Sequence, residues 1–539
     1  MRKAAIVALV LLVAGTGMIW AGGTQERAAA QEVTVTPPGT FPIVEEPVTV
    51  RMLAAQGPDI EDLNTNEFAK FYEELTNVRV VFEQFPVAQQ AERLNIVMAS
   101  GDYPEVITGG NIFNRTQLLV YGSQGVFLPL NDLIANHMVH MQDMFEYNDY
   151  FRETLTAPDG NIYGYPRVAE TTHVTHPNKM WIYQPFLQEL GIDPPRTTSE
   201  FRDMLIAFRD QDPNRSGRAD TVPLAGTMSG ATSVVDYLMA SFIYPDPSRI
   251  MVDNGTLRFV ANTPEWRDGL RYLRELYTEG LIAEESFTQD VAQLRQLGEN
   301  PNTPILGAFP GLALGNATVV GGESGRYLEF KTIPPLEGPT GIRQAIRQPF
   351  PVVISTVITE KANHPAVVAR WIDHFYTPLE GPLWAEYGLE GSGWERAQPG
   401  ETGLDGRPAF WRPIRPWGQM QNIAWVHTVG FFNSEEKRNS QVASATDQET
   451  ILYTETVNNY IPYGADSGLP PLFLDEAQAL EMARLQADII DHVNSSAARF
   501  IVGDLDIERN WDTYVTELER MGVRRYVEIY QAAYNAKSR

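Results

Sequence analysis

The stretch DPNRSGRAD, residues 212–220, places oxygen-bearing side chains at alternate positions. Its candidate ligands for a hard cation are Asp212, Asn214, Ser216, the carbonyl oxygen of Arg218 and Asp220. They copy the first nine positions of an EF-hand loop, with Gly217 at the turn, but Pro223 stands where an EF-hand requires a bidentate glutamate. Two interpretations stay open: a calcium loop completed in another way, and a simple turn, since Asp, Asn, Ser and Gly favour both.

The sequence gives only weak signals for a transition-metal site or for catalysis. Two H-x-x-H pairs, His137 with His140 and His173 with His176, could hold a transition metal with a third ligand, but surface histidines also reach this spacing by chance. The chain has no G-x-S-x-G elbow, no H-E-x-x-H and no glycine-rich loop ending in Gly-Lys. The sequence therefore contains none of these enzyme signatures. A catalytic carboxylate pair for glycoside hydrolysis remains an alternative, because the chain has 68 acidic residues.

The tryptophans are unevenly distributed. Five of the ten lie close together in a segment rich in Gly and Pro: Trp384, Trp394, Trp411, Trp417 and Trp425. Loops are where binding residues concentrate, and large flat faces with an N–H group suit sugar rings. The sequence favours an aromatic binding surface, and the alternative is that these loops pack over a satellite core.

Composition narrows the class of protein. The chain has no cysteine, which excludes disulfides, thiolate metal sites and lipid attachment through an N-terminal cysteine. A formal charge of −26 argues against nucleic acid or an anionic membrane as partner. Residues 1–21 carry Arg2 and Lys3 before an apolar run that is shorter than the ~20 residues of a membrane span. They are predicted to be a cleaved signal peptide, so the mature chain is expected to be exported.

The order of elements predicts the fold class. A chain of 539 residues exceeds the size of one core, so two or more lobes are expected. Residues 22–47 are predicted to be a flexible tether, and from Val48 strand and helix patterns alternate, which indicates an α/β fold. Thr197 with Glu200, and Thr263 with Pro264, predict the starts of two helices. The C-terminal section is predicted to be mostly helical.

Ordered phrases along the chain carry a resemblance. They are MASGDYPEVI, GNIYGYP, LQELGIDPPRTTSEF, DPNRSGRADTVPL, LRELYTEGLI, PPLEGPTG, EYGLEGSGW and LPPLF. Together they resemble the family 1 extracellular solute-binding proteins of carbohydrate ABC importers, in the long subgroup similar to alginate-oligosaccharide-binding and LipO-type proteins. The likeness runs from about Val48 to Asn535.

The resemblance implies an α/β, two-lobe periplasmic-binding-protein fold, type II-like, with hinge crossovers and a helical C-terminal section. The N-terminal lobe is expected at residues 48–165 plus 350–395, and the C-terminal lobe at 166–349 plus 396–539. Crossovers are expected near Tyr163–Arg167, Arg347–Val352 and Gly393–Pro416.

The implied function is that of a receptor which captures an oligosaccharide between its lobes by hinge closure and delivers it to the permease of an ABC transporter, without covalent chemistry. The alternatives are an exported polysaccharide-active enzyme and a peptide-binding receptor of the same fold. A monomer is expected, freely diffusing in the periplasm or secreted, because no cysteine is present for acylation.

Candidate ligand-binding residues follow from loop positions and aromatic type. Polar contacts are expected from Gln56, Asp59, Gly110 and Asn111, and stacking from Tyr163, Tyr387, Trp394, Trp411 and Trp417. The resemblance also implies a structural calcium ion in the loop at residues 212–220, because members often carry D-x-N-x-N-G-x-x-D-E there. This chain departs from that pattern at Ser216 and Thr221.

Overall fold

The computed structural model describes residues 33–415 and 418–537 of the chain. The predicted signal peptide at residues 1–21 and the first part of the predicted tether lie outside the described residues, as does Trp417. The described strands are β1 (Val48–Gln56), β2 (Val78–Pro86), β3 (Val106–Phe113), β4 (Tyr165–Ala169), β5 (Lys179–Tyr183), β6 (Val222–Leu224), β7 (Ile250–Asp253), β8 (Thr256–Phe259), β9 (Leu306–Gly311), β10 (Phe330–Ile333), β11 (Val352–Ile358), β12 (Trp394–Arg396), β13 (Trp411–Pro413) and β14 (Phe432–Asn433).

The described helices are α1 (Glu67–Thr76), α2 (Gln90–Ser100), α3 (Arg115–Ser123), α4 (Asn131–His137), α5 (His140–Tyr147), α6 (Asp149–Leu155), α7 (Gln184–Leu190), α8 (Thr198–Asp210), α9 (Val234–Met239), α10 (Pro264–Thr278), α11 (Val291–Gly298), α12 (Pro365–Asp373), α13 (Glu380–Tyr387), α14 (Glu435–Asn439), α15 (Gln448–Asn459), α16 (Glu476–Val502), α17 (Ile507–Met521) and α18 (Val523–Lys537). Some of them, such as α1 and α3, begin after a residue whose side chain caps them. Both predicted starts are confirmed: Thr197 and Glu200 form a reciprocal capping box before α8, and Thr263 caps α10.

The first lobe is built on a six-stranded sheet in the order β14-β4-β11-β3-β1-β2. β1 pairs in parallel with β2 and β3, whereas β11 runs antiparallel to β3 and β4. Phe68 and Tyr72 from α1 and Trp371 from α12 are fully buried beside this sheet, with the rings of Tyr72 and Trp371 5.6 Å apart. Trp425 joins them, because its ring lies 4.8 Å from that of Phe68.

The second lobe is built on a four-stranded sheet in the order β10-β5-β9-β6, covered by the C-terminal helices. On α10 the side chains of Trp266, Leu270 and Leu273 are buried at helical spacing, and α16 contacts this helix. The two lobes therefore have separate hydrophobic cores, and the predicted two-lobe α/β fold with a helical C-terminal section is confirmed.

The chain passes between the two cores three times within the described residues. The first crossing is residues 170–178, the second is 346–351 and the third is 434–447. The second lies where the sequence predicts it. The first follows β4 instead of Tyr163, since β4 belongs to the first sheet, and the third lies beyond Gly393–Pro416.

The assignment of residues 396–539 to the C-terminal lobe needs a correction. β14 pairs in parallel with β4 through Phe432 and Val168, and Trp425 is buried in the first core. Residues 421–433 therefore belong to the first lobe. The pattern of a strand only two residues long carries no periodicity from which this pairing could be predicted.

The predicted tether is also shorter than expected. Val35 and Val44 form an antiparallel bridge, and Ile43 and Val44 are fully buried in the first core. The Arg370 guanidinium donates to the carbonyl oxygens of Pro37 and Thr40. Residues 33–47 are therefore docked on the first lobe. No helix within the described ranges combines the length and apolar character needed to cross a membrane.

Candidate functional site

Two cavities adjoin at the hinge side of the first lobe, since Arg167 and His427 line both. The strand-end cavity, about 600 Å³, lies at the carboxyl ends of β1 and β3 and is lined by Ala55, Gly57, Pro58, Asp59, Ile60, Val87, Gly110, Arg167, Gly418, Met420, Val426, His427 and Thr428. The hinge cavity, about 360 Å³, is lined by Arg167, Ala169, Thr171, His173, Val174, Pro351, Glu386, Tyr387, Pro413, Arg415, His427, Asn433, Arg438, Gln441, Asp447 and Glu449. We call the two cavities together the cleft.

The strand-end cavity lies where the sheet geometry predicts a ligand site. Parallel strands bring their carboxyl ends to one edge of the sheet, where the loop after β1 carries Asp59 and the carboxyl-terminal half of β3 carries Gly110. Gln56 lies outside the lining, because its side-chain Nε2 donates to the carbonyl oxygens of Ile60 and Glu61 and closes the turn.

Asn111 also lies outside the lining of the cleft. It is exposed, and its carbonyl oxygen accepts a hydrogen bond from Gln90 Nε2 at 2.7 Å. The structure therefore brings two of the four predicted polar residues, Asp59 and Gly110, to the cavity, and leaves Gln56 and Asn111 beside it.

A buried ion pair forms one wall of the hinge cavity. The Lys437 side chain from α14 is fully buried and contacts the Glu386 carboxylate from α13, whose side chain is 5% exposed. His427 Nε2 lies 3.3 Å from the same carboxylate. Burial raises the pKa of Glu386, but the charges of Lys437 and His427 outweigh this effect and hold that pKa well below its ordinary value. Burial lowers the pKa of Lys437 to about 8 against the opposing charge of Glu386.

A second ion pair also lines the hinge cavity. Arg438, the next residue of α14, pairs with Glu449 from α15 of the second lobe, and His173 Nδ1 lies 3.7 Å from Glu449. Burial raises the pKa of Glu449. The charge of Arg438 acts in the opposite direction, and with the other nearby cations it outweighs burial, so the pKa lies below its ordinary value. Burial lowers the pKa of His173 to about 4. Neighbouring residues of the third crossing thus hold carboxylates from different lobes.

Several residues that line the cleft carry a polar atom that is buried without a hydrogen-bond partner in the described part of the chain. These atoms are the Nε atoms of Arg167, Arg415 and Arg438, Thr428 Oγ1, Asn433 Oδ1 and Gln441 Oε1. Buried polar groups in folded proteins are almost always hydrogen-bonded, so these unpaired atoms are available for hydrogen bonds to water or to a ligand. The set contains both donors and acceptors.

The aromatic surface predicted from the tryptophan distribution is largely wrong. Trp394 and Trp411 are 2% and 0% exposed and form a small core with Leu383 and Tyr387. The indole Nε1 of Trp394 donates to the Gly388 carbonyl, and that of Trp411 to the Lys437 carbonyl. Their faces are therefore covered by the protein, as in the satellite-core alternative.

The other predicted aromatic residues have different outcomes. Tyr387 lines the hinge cavity, so its contact with a ligand remains a prediction. Tyr163 is 4% exposed in the first core, and its hydroxyl donates to Asp159 Oδ2 at 2.6 Å. The stacking role of Tyr163 is therefore wrong, because the residue lies before β4 and packs under the sheet. Trp417 lies outside the described residues.

The loop at residues 212–220 gathers its oxygen atoms as the spacing predicts. Ser216 Oγ lies 3.3 Å from Asp212 Oδ1, 2.8 Å from Asp220 Oδ1 and 3.2 Å from the Arg218 carbonyl oxygen. Asn214 Nδ2 donates to Asp220 Oδ1 at 2.8 Å. Within the described ranges, no group of three or more His, Cys, Asp or Glu side chains is arranged to hold a metal ion, and this loop supplies only two carboxylates.

The two histidine pairs have structural surroundings. His173 and His176 lie in the first crossing, where burial lowers the pKa of each to about 4. His140 Nδ1 lies 3.8 Å from the carboxylate of Asp143 on the same helix.

Sequence reasoning missed the charged residues of the hinge cavity. Glu386 lies in EYGLEGSGW, one of the sequence phrases that carry the resemblance. A single acidic residue on a short helix, however, has the pattern of a solvated surface charge. Lys437 and Arg438 follow two glutamates, so the segment SEEKR has the pattern of an exposed helix start. The one available signal was position: α14 directly follows a strand that ends at the cleft.

The fold is that of a two-lobed α/β protein with a cavity at the hinge, an arrangement typical of binding proteins. The match of a family model to residues 57–379, more than half of the chain, identifies it further: the chain belongs to the bacterial extracellular solute-binding protein family.

Two curated relatives are similar over different lengths. The fructooligosaccharide ABC transporter substrate-binding protein FusA of Streptococcus pneumoniae serotype 4 is 26% identical over 540 residues, covering 98% of this chain and 97% of FusA. Lipoprotein LipO of Bacillus subtilis is 25% identical over 226 residues, covering 42% of this chain and 43% of LipO.

Solved structures share the fold. FusA in complex with kestose has a TM-score of 0.74 at 24% identity, covering 91% of this chain and 99% of FusA, and an EF-hand mutant of FusA in complex with fructo-nystose has the same TM-score. The alginate-binding protein AlgQ2 without calcium ion has a TM-score of 0.65 at 22% identity, covering 91% of this chain and 99% of AlgQ2. The resemblance stated from the sequence is therefore confirmed.

Proposed function

We propose that the protein is the receptor of an ABC importer, that it captures an oligosaccharide in the cleft by hinge closure, and that it delivers the sugar to the permease. The observation that carries this proposal is the set of unpaired donors and acceptors lining a cavity between the two lobes. Sugar hydroxyls both donate and accept hydrogen bonds, so they can satisfy such a mixed set. The chemistry required is binding alone.

The position of the ion pairs supports closure around the ligand. Arg438 and Glu449 join the third crossing to the second lobe, while Lys437 and Glu386 join it to the first. A ligand in the hinge cavity contacts groups from both sides, and its binding energy can therefore favour the closed arrangement. The likeness to FusA, which covers nearly the whole chain, supports an oligosaccharide as the ligand.

Export follows from the same proposal. The signal peptide predicted for residues 1–21 would be cleaved, and the mature chain would act as a monomer in the periplasm or as a secreted protein. The family description as extracellular supports this location. The chain has no cysteine for acylation, so attachment to the membrane through a lipid is not part of the proposal.

A thermal-shift measurement tests the ligand class. Kestose or nystose is expected to raise the melting temperature, because a ligand that binds only the folded protein adds about 2.7 kcal/mol at about 100 times Kd. A panel of short peptides serves as the control and is expected to leave the temperature unchanged. A shift with peptides alone would support the peptide receptor, and chromatographic detection of cleaved sugar would support the enzyme.

We also propose that the loop at residues 212–220 binds calcium. The oxygens of Asp212, Ser216, Asp220 and the Arg218 carbonyl converge, and Asn214 can turn its amide oxygen towards them. A hard cation prefers such oxygen ligands, and it would hold the end of α8 to the strand β6. With two carboxylates, affinity towards the ~10⁻⁴–10⁻³ M range of extracellular calcium modules is expected.

Chelation tests the calcium proposal. Excess EDTA is expected to lower the melting temperature of the wild type, and Asp212→Ala is expected to abolish this sensitivity because it removes one of two charged ligands. Asp210→Ala is the matched control, since Asp210 lies just outside the loop and pairs with Arg209. A wild-type melting curve that EDTA leaves unchanged would mean that the loop is only a turn.

A further inference from the structure

Arg167 occupies the junction of the two cavities. It lies on β4, opposite Val353 of β11, and it lines both the strand-end and the hinge cavity. The Nε–H group is buried without an acceptor, and within residues 33–415 and 418–537 the guanidinium makes no hydrogen bond or ion pair. Arg167 thus lines the cleft, and its donors have no protein acceptor in the described part of the chain.

Other buried arginines of the protein have partners. The guanidinium of Arg249 donates to Asp236 at 2.6 Å, and that of Arg438 pairs with Glu449. Arg326 and Arg370 each donate to two backbone carbonyl oxygens. A folded protein gains nothing in stability from a buried Nε–H group that lacks a partner, because the desolvation of that group is not repaid.

The surroundings of Arg167 indicate which ligand groups it can meet. Burial lowers the pKa of Arg167, and the charge of Glu386 opposes that shift. Carboxylates line the cleft at Asp59, Glu386, Asp447 and Glu449, and the guanidinium groups of Arg415 and Arg438 line it as well. A ligand carboxylate placed against Arg167 would be repelled by Glu386, which stands close enough to act on the guanidinium.

A hydroxyl group does not meet this repulsion. Its oxygen accepts from the guanidinium, and its hydrogen can be donated to an acceptor such as Asn433 Oδ1 or Gln441 Oε1, which are buried and unpaired in the described residues. Two hydroxyls on neighbouring carbons can use both arms of the guanidinium fork at once.

We infer that Arg167 anchors a neutral sugar residue at the junction of the two cavities, its guanidinium donating to the oxygens of neighbouring hydroxyl groups. This inference rests on the proposed function, and it adds the charge class of the sugar and the residue that selects it. Acidic oligosaccharides built of uronates are disfavoured at this position, because Glu386 lines the same cavity and repels a carboxylate placed against Arg167.

Calorimetry on Arg167→Met tests the anchor. Affinity for kestose or nystose is expected to fall about ten- to a hundredfold, as for the loss of hydrogen bonds to a charged group. The melting temperature of the unliganded variant is expected to stay equal to that of the wild type or to rise, because a half-buried cation without a protein partner has been replaced by an apolar chain of similar length. If Arg167 had only a structural role, Arg167→Met would lower the melting temperature and leave the affinity for the sugar unchanged.

Two further variants sharpen the result. Arg167→Lys keeps the charge but loses the planar fork, so it is expected to bind more weakly than the wild type. Arg412→Met is the matched control: Arg412 contacts Glu395 and Glu401 outside the cleft, and its replacement is expected to leave affinity unchanged. Full affinity in Arg167→Met or in Arg167→Lys would overturn the role of the fork.

The wild type is titrated with an alginate trisaccharide alongside the neutral sugars. Binding of the neutral sugars alone supports the inference. Binding of alginate alone would overturn the neutral class and leave the receptor function intact. Binding of neither class would remove the proposed oligosaccharide receptor, and the inference with it.

Discussion

Replacing Lys437 by methionine is expected to lower the free energy of unfolding by about 3–5 kcal/mol, because the substitution leaves Glu386 charged and buried without its cation. The side chains of Lys437 and Glu386 are 0% and 5% exposed, so water cannot replace the lost partner. The Lys437 ammonium also lies 4.9 Å from the ring centre of Trp411 and 5.1 Å from that of Tyr387, and these contacts are lost with it. Urea unfolding at neutral pH measures the effect.

A double variant separates the unpaired charge from lost packing. Glu386→Gln combined with Lys437→Met removes both charges, and it is expected to recover most of the stability lost by Lys437→Met alone. The deficit of the single variant should also shrink as pH falls, because the stranded carboxylate has a raised pKa and becomes neutral. Glu519→Gln is the control, since its partner Arg524 is exposed, and it is expected to change stability little. Equal, small effects of Lys437→Met and Glu519→Gln would contradict the buried-pair account.

Trp394→Ala is expected to cost about 3–5 kcal/mol of unfolding free energy while sugar affinity of the folded protein changes little. The indole is buried in a small core, where its ring lies 6.1 Å from that of Phe410. The preceding Gly393 backbone lies against the Tyr387 carbonyl, with no room for a side chain, and this close approach fixes the direction in which Trp394 enters the core.

Urea unfolding and calorimetry with kestose on the same sample decide between core and binding roles for Trp394. Phe410→Ala is the comparison, and its smaller loss is expected because Phe410 is only partly buried. A large loss of affinity at unchanged stability would restore the stacking role that the sequence favours for this indole.

The features that are best predicted from the sequence are those that depend only on residues close together in the chain, such as helix caps. The capping box of Thr197 and Glu200 and the cap at Thr263 need only three or four residues to be recognised, and both helices begin there. The oxygen spacing of the loop at residues 212–220 is equally local, and its side chains do converge. The resemblance, spread over ordered phrases, predicted the two-lobe fold.

The site was harder to predict because its surroundings come from distant parts of the chain. In sequence, the tryptophan-rich segment resembles an exposed loop. In the folded protein, α14 packs against it and Lys437 covers Trp411. Arg167 stands within a short strand whose neighbours are set by β11 and β14, so nothing near it in sequence shows that its charge lacks a partner. Burial of a charge is a property of the assembled lobes, and single-residue patterns do not contain it.

The strand β14 has a consequence for biosynthesis. Because β4 pairs on one side with β11 and on the other with β14, the first sheet cannot be completed until residue 433 has left the ribosome. Until then the nascent chain carries an open sheet edge, a template for wrong pairing, and a core that lacks Trp425. A truncated chain ending at residue 395 would keep this open edge permanently. The first lobe therefore cannot be produced as one continuous fragment that lacks residues 421–433.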